Sequence, residues 1–324
     1  MKINKSCYLI VLMLLTFSAV AYSQIVEYRT SKSGNWEDVD VWERKSGSNW
    51  VKASGIPSTN INVTIQPQHI INIGANISPN CSSLTVEKGA VLKAEGTATL
   101  KVGANKNDGE AYLVNNGTIE SGSTAADGLI RVDVFNTAKK IIISGSGNTR
   151  FGRLQARGGN PNKLEVIIDT DMTITEKIVT STFTAMDVLP GRRTNNDDVT
   201  FTINKGKTVK IEGSSSFHSA IATAETGGRY VYNILGTLDL SANETTDNVI
   251  PVSDNVKGET IVNVAGNLII AGLFNAVSKS SSGSNDGKVA LNVLDGGVVD
   301  ATKARRLTLG SIQFNTTGTG VVKR

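Results

Sequence analysis

Between Phe201 and Asp300, apolar residues alternate with polar ones in short bursts, and the bursts recur at a fixed interval. Phe201 and Ile203, Tyr232 and Ile234, Val262 and Val264, and Leu291 and Val293 each precede a glycine, and Gly206, Gly236, Gly266 and Gly296 stand 30 residues apart. A second apolar group follows each glycine: Val209 and Ile211, Leu238 and Leu240, Leu268 and Ile270, Val298 and Val299. Period-two alternation predicts strands, so the unit reads strand, tight glycine corner, strand and polar return. A unit this short cannot bury its own apolar face, and neighbours must stack and share one core.

The same unit extends toward the N-terminus. Leu84 and Val86 precede Gly89 and Val91, and Tyr112 and Val114 precede Gly117 and Ile119. The interval from Gly117 to Gly206 leaves room for two more rungs, with corners near Gly147 and Glu176 and apolar runs at 141–143, 166–168, Met172 and Ile174. Leu100 and Val102 follow Gly89 at the distance at which Leu307 and Leu309 follow Gly296, and Ile221 and Ile250 lie near the same phase. That is a third strand per rung. Eight rungs are expected between Leu84 and Asp300, with one or two before and a partial one after. At about 4.8 Å per strand the shaft is roughly 40 to 50 Å long. The fold class predicted is all-β: a single-stranded right-handed parallel β-helix, or β-solenoid, with about 30 residues per rung. A β-sandwich or antiparallel barrel leaves the constant period unexplained.

Residues 61–324 form this shaft, and 24–60 read as a distinct head. The head holds all three tryptophans, Trp36, Trp42 and Trp50. An open solenoid end needs covering, which large rings with polar rims can do. Indole faces also stack on sugar rings, so the same three residues are carbohydrate-binding candidates. The series Gly34-Asn35-Trp36, Trp42, Pro57, Val63-Thr64-Ile65, His69 and Ile71 resembles the head of secreted, pectate-lyase-like parallel β-helix proteins of the Bacteroidota, similar to G8-type modules. The resemblance covers about residues 20 to 90, and the functions of that group vary widely.

Lys2 and Lys5 precede an apolar run at 8–20, with Ala21 and Ser23 at cleavage-site positions, so 1–23 read as a secretory signal peptide. That run is too short to span a bilayer. The expected mature chain is secreted or attached to the cell surface, with no transmembrane segment. Cys7 leaves with the leader and Cys81 becomes the lone thiol, which excludes an intrachain disulfide. The formal net charge of +4 falls to +2 without Lys2 and Lys5, too little to argue for nucleic acid.

Candidate chemistry sits in the stretched loops. Arg150, Arg153 and Arg157 fall in one, and Arg192, Arg193, Asp197 and Asp198 in another. A lyase acting on an acidic polysaccharide needs a base and a cationic neutraliser for the uronate, and both residue types occur here. The catalytic candidates are therefore Arg153, Arg192, Arg193, Asp197 and Asp198, although their phases place the two groups on different faces. Asp197-Asp198 could also serve as a glycosidase acid pair, but the companion motifs of pectin hydrolases are absent.

His69 and His218 are isolated and make no zinc site. The segments 105–110 and 285–287 have oxygen-rich side chains that could hold Ca²⁺, and read more simply as turns. No other cofactor is indicated. The next corner is due near position 326, beyond Arg324, and this predicts end-to-end self-association as one way to cover the last rung. Two functions stand side by side. One is a non-catalytic secreted surface or matrix protein that binds carbohydrate or a protein partner; the other is a polysaccharide lyase or glycoside hydrolase.

Overall fold

The computed structural model describes residues 26–103, 109–135, 138–157, 164–176, 186–189, 198–212, 217–219, 229–242, 247–250, 259–276, 288–309 and 313–324. Among these residues the secondary structure is strand apart from two single-turn 3₁₀ helices, Val39–Val41 and Ala125–Asp127. No described helix is long and apolar enough to cross a membrane.

The strands form three stacks of a parallel β-helix. The first sheet holds 13 strands, eleven of them parallel, from Val26–Thr30 and Ile61–Ile65 to Lys288–Val293 and Gln313–Thr316. The second sheet holds 12 strands and runs from Gly34–Asn35 to Val321–Lys323. The third, with six strands, runs from Asn80–Cys81 to Phe217–Ser219 and includes Thr97–Val102, which carries Leu100 and Val102 as expected. Eight first-sheet strands lie from Ser83–Val86 to Lys288–Val293, two come before and one after, matching the rung count expected from the pattern.

Inward columns explain why this alternation folds this way. Ala111, Ile141, Val166, Phe201, Tyr232, Val262 and Leu291 pair in register down the first sheet and are all buried. Phe201 and Tyr232 stack with ring centroids 5.8 Å apart. In such a column each apolar side chain loses water to the rungs on both sides, which no single rung could achieve.

The 30-residue glycine spacing conceals two different corners. Gly206 is the third residue of a four-residue corner closed by the Lys207 amide donating to the Asn204 carbonyl at 3.1 Å, and its φ of 77° is left-handed. Gly266 instead ends a two-residue corner, where a Cβ would stand 1.9 Å from the Gly236 carbonyl oxygen of the rung below. One glycine is required by its dihedral angle, the other by close approach of backbone. At the corresponding place in an earlier corner Gln68 takes the left-handed conformation, with φ of 68°.

The head continues the shaft's own sheets across the boundary at 60/61. Val26–Thr30 pairs in parallel with Ile61–Ile65, and Gly34–Asn35 with Ile70–Ile73. The cap proper is the hairpin of Trp42–Ser46 and Asn49–Lys52, antiparallel to Val26–Thr30. At the far end the strands of the second sheet lengthen. Asn267–Ala276 and Val298–Leu309 are long strands whose pairing shifts register near Ala271 and Gly272, and Asp247–Ile250 joins the distal part of the former.

Candidate functional site

The described cavity lies on the outer face of the first sheet and spans its first four rungs, with a volume of about 520 Å³. Register builds its floor. Arg29, Thr64, Thr85 and Val114 form one outward row, and Glu27, Asn62, Ser83 and Tyr112 the next, because Glu27 pairs with Asn62, Asn62 with Ser83, and the strand carrying Tyr112 follows in step. Gln66 and Glu87 flank these rows where the strands enter their corners. The first and fourth rungs are about 14 Å apart at ordinary strand spacing, long enough for a short oligosaccharide.

Aromatic rings stand at both ends of this groove. Trp50 reaches it from the cap hairpin, and the Arg29 guanidinium carbon lies 4.4 Å from the centroid of its ring. Arg29 Nε also donates to Glu43 at 2.8 Å, so the cation is held between a ring face and a carboxylate. At the opposite end Tyr112 is 39% exposed, and its hydroxyl donates to Glu110. That hydrogen bond and Lys140 hold the Glu110 carboxyl below its ordinary range, while the same hydrogen bond, burial and the Glu110 charge push the Tyr112 phenol above its own.

The head tryptophans separate into two roles. Trp36 and Trp42 are fully buried, packed edge to face with centroids 5.0 Å apart, and the Trp42 indole donates to the Trp36 carbonyl at 2.9 Å. They close the N-terminal end of the core and offer no ring face to a ligand, which removes them from the sugar platform. Trp50 alone of the three lines the groove. Tyr112 was not legible as its counterpart, because 62 residues separate it from Trp50 and only the stacking of rungs brings them to one face.

The two catalytic candidates among the described residues, Arg153 and Asp198, stand on different sheets. Arg153 lies in Arg153–Arg157 of the third sheet and is 7% exposed, whereas Asp198 begins Asp198–Ile203 of the first. Arg192, Arg193 and Asp197 lie outside the described residues, as do 105–108 and 285–287 of the two Ca²⁺ candidates. Among the described residues no three His, Cys, Asp or Glu side chains form a metal-binding group. His69 sits in a corner and shares a 2.7 Å hydrogen bond with Thr30 Oγ1.

The third sheet carries a polar cluster that the pattern did not disclose. Asp133 and Gln155 are outward-facing by alternation, pair in register, and are nonetheless fully buried beside Arg153. Glu176, also buried, forms an ion pair with Arg131 through both carboxylate oxygens. Asp187 and then His218 continue the backbone register of Asp133 and Gln155. Cys81 begins this sheet; burial pushes its thiol up to about 12, which keeps it protonated and unreactive.

No family model matches the chain, and no curated protein or solved structure matches it.

Proposed function

We propose that this chain is a secreted, non-catalytic β-helical protein of the cell surface or matrix that binds carbohydrate in the groove between Trp50 and Tyr112. The observation that carries this reading is the pairing of two accessible rings across a floor of hydroxyl and amide side chains, Thr64, Thr85, Asn62 and Gln66. Ring faces suit the apolar faces of sugars, while short polar groups fix the orientation of hydroxyls. A rigid stack of strands holds these groups in place before the ligand arrives, which lowers the entropy lost on binding.

Isothermal titration of the mature chain with neutral, acidic and amino oligosaccharides tests this. Trp50→Ala and Tyr112→Ala are each expected to weaken binding at least about tenfold, or about 1.4 kcal/mol. Binding that survives both substitutions overturns the groove as the site. A rise in ultraviolet absorbance from unsaturated uronate ends, with any acidic polysaccharide, overturns the non-catalytic reading in favour of a lyase. End-to-end association through the last rung, where Phe314 of the inward column is 39% exposed, is a separate part of the proposal. Sedimentation that finds only monomer at high concentration overturns that part.

A further inference from the structure

The charges around the groove are not balanced in the way a uronate binder requires. Three cations stand in or beside it, and each is already held by a carboxylate. Arg29 is bound to Glu43 at 2.8 Å, Lys45 to Glu27 at 2.7 Å, and Lys140 to Glu110 at 3.5 Å. Glu87 is the fourth carboxylate, half-buried at the groove's edge, and no described residue engages it in an ion pair or side-chain hydrogen bond. Its sequence neighbour Lys88 is exposed on the corner and does not line the groove.

The unmet hydrogen-bonding demand has the same sign. Asn62 Oδ1, in the floor, is buried from solvent and accepts no hydrogen bond. Gln66 directs its amide Nε2 to the Thr30 carbonyl at 2.6 Å, which leaves its oxygen as the group available to a ligand. Two side-chain oxygens of the groove thus lack a donor, and one carboxylate lacks a cation. A ligand with a carboxylate would bring like charge to Glu87 and Glu27; a ligand with an ammonium group would supply both the charge and the N–H donors.

We infer that the glycan taken by this groove carries free amino groups, a glucosamine-type polysaccharide, and that Glu87 is the carboxylate that receives the ammonium. This rests on the carbohydrate reading above and narrows it away from acidic polysaccharides. The amine lies between the two rings, close to the edge of the floor, with Glu87 as its charged partner and the sugar faces directed to Trp50 and Tyr112.

Three hexasaccharides of matched length separate this inference from the reading it rests on: fully deacetylated glucosamine, its N-acetylated form, and galacturonate. All three titrations are made at the same pH, about 5.5. The wild-type chain is expected to prefer the deacetylated hexamer over the acetylated one by about tenfold or more, a preference that shrinks with added salt. Glu87→Gln is expected to bring that ratio close to one, and Glu87→Asp to retain part of it. Equal or tighter binding of the acetylated or galacturonate hexamer, or a ratio unmoved by Glu87→Gln, overturns the amine inference. In that event sensitivity to Trp50→Ala still supports a carbohydrate groove, whereas no binding of any hexamer overturns both.

Discussion

The outer faces of the first and third sheets carry similar residues under opposite conditions. On the first, the ion pairs Arg29–Glu43 and Lys45–Glu27 keep between 28% and 47% of their side-chain surface in solvent. On the third, Asp133 keeps none, and Arg131 keeps 31% while the Glu176 that reaches it keeps 7%. Screened pairs contribute little to stability and can be rearranged for a ligand. Enclosed charges cannot lose a partner without leaving an uncompensated charge behind. The contrast favours the first face as the one that can exchange a side-chain partner for a ligand.

The sharpest way to break this contrast is Glu176→Ala, which leaves Arg131 without its carboxylate. It is expected to destabilise the chain by about 1.5–3 kcal/mol in urea denaturation. A loss below 1 kcal/mol would mean that the third face is as open as the first. Next comes Asn263→Ala on the distal part of the first sheet, where the side chain donates to Asn233 at 2.9 Å and accepts from Asn292 at 2.8 Å. Two partly solvated hydrogen bonds predict about 1–2 kcal/mol by the same assay.

Lys140→Ala removes one exposed pair with Glu110 and is expected to leave the urea midpoint nearly unchanged. The smallest effect is a pH dependence. Because the folded Glu110 carboxyl titrates below its ordinary value of 4.5, its contribution is present above that value and is lost as pH falls through the lowered one. A carboxyl NMR titration that follows Glu110 should show this midpoint shift, and Tyr112→Phe should reduce it. An unchanged midpoint in Tyr112→Phe would assign the shift to Lys140 alone.

Much of the architecture was legible because the core is a set of columns and each column requires one apolar residue per rung. Leu84, Leu113, Ile143 and Ile168 meet in register down the first sheet despite rungs of unequal length. The corners were only half legible. Gly206 and Gly266 look equivalent in the sequence, yet a four-residue and a two-residue corner offset each other so that the 30-residue interval survives. Burial of outward side chains could not be inferred from alternation, which marks the face a residue points to and says nothing of what lies over that face. Asp133 and Gln155 are the clearest cases. The groove was legible at one end only: Trp50 stood out by its type, while nothing in the sequence marked Glu87.

The asparagines of the first sheet have a direction as well as a register. Asn315 donates to Asn292, Asn292 to Asn263, Asn263 to Asn233, and Asn233 to Thr202 Oγ1, each through its side-chain N–H₂. Every amide in the row thus points its hydrogens toward the N-terminal end, so the bond dipoles add along the shaft instead of cancelling as they do between strands. The row polarises this flank of the cylinder lengthwise, with donor hydrogens facing one end and the carbonyl oxygen of Asn315 facing the other.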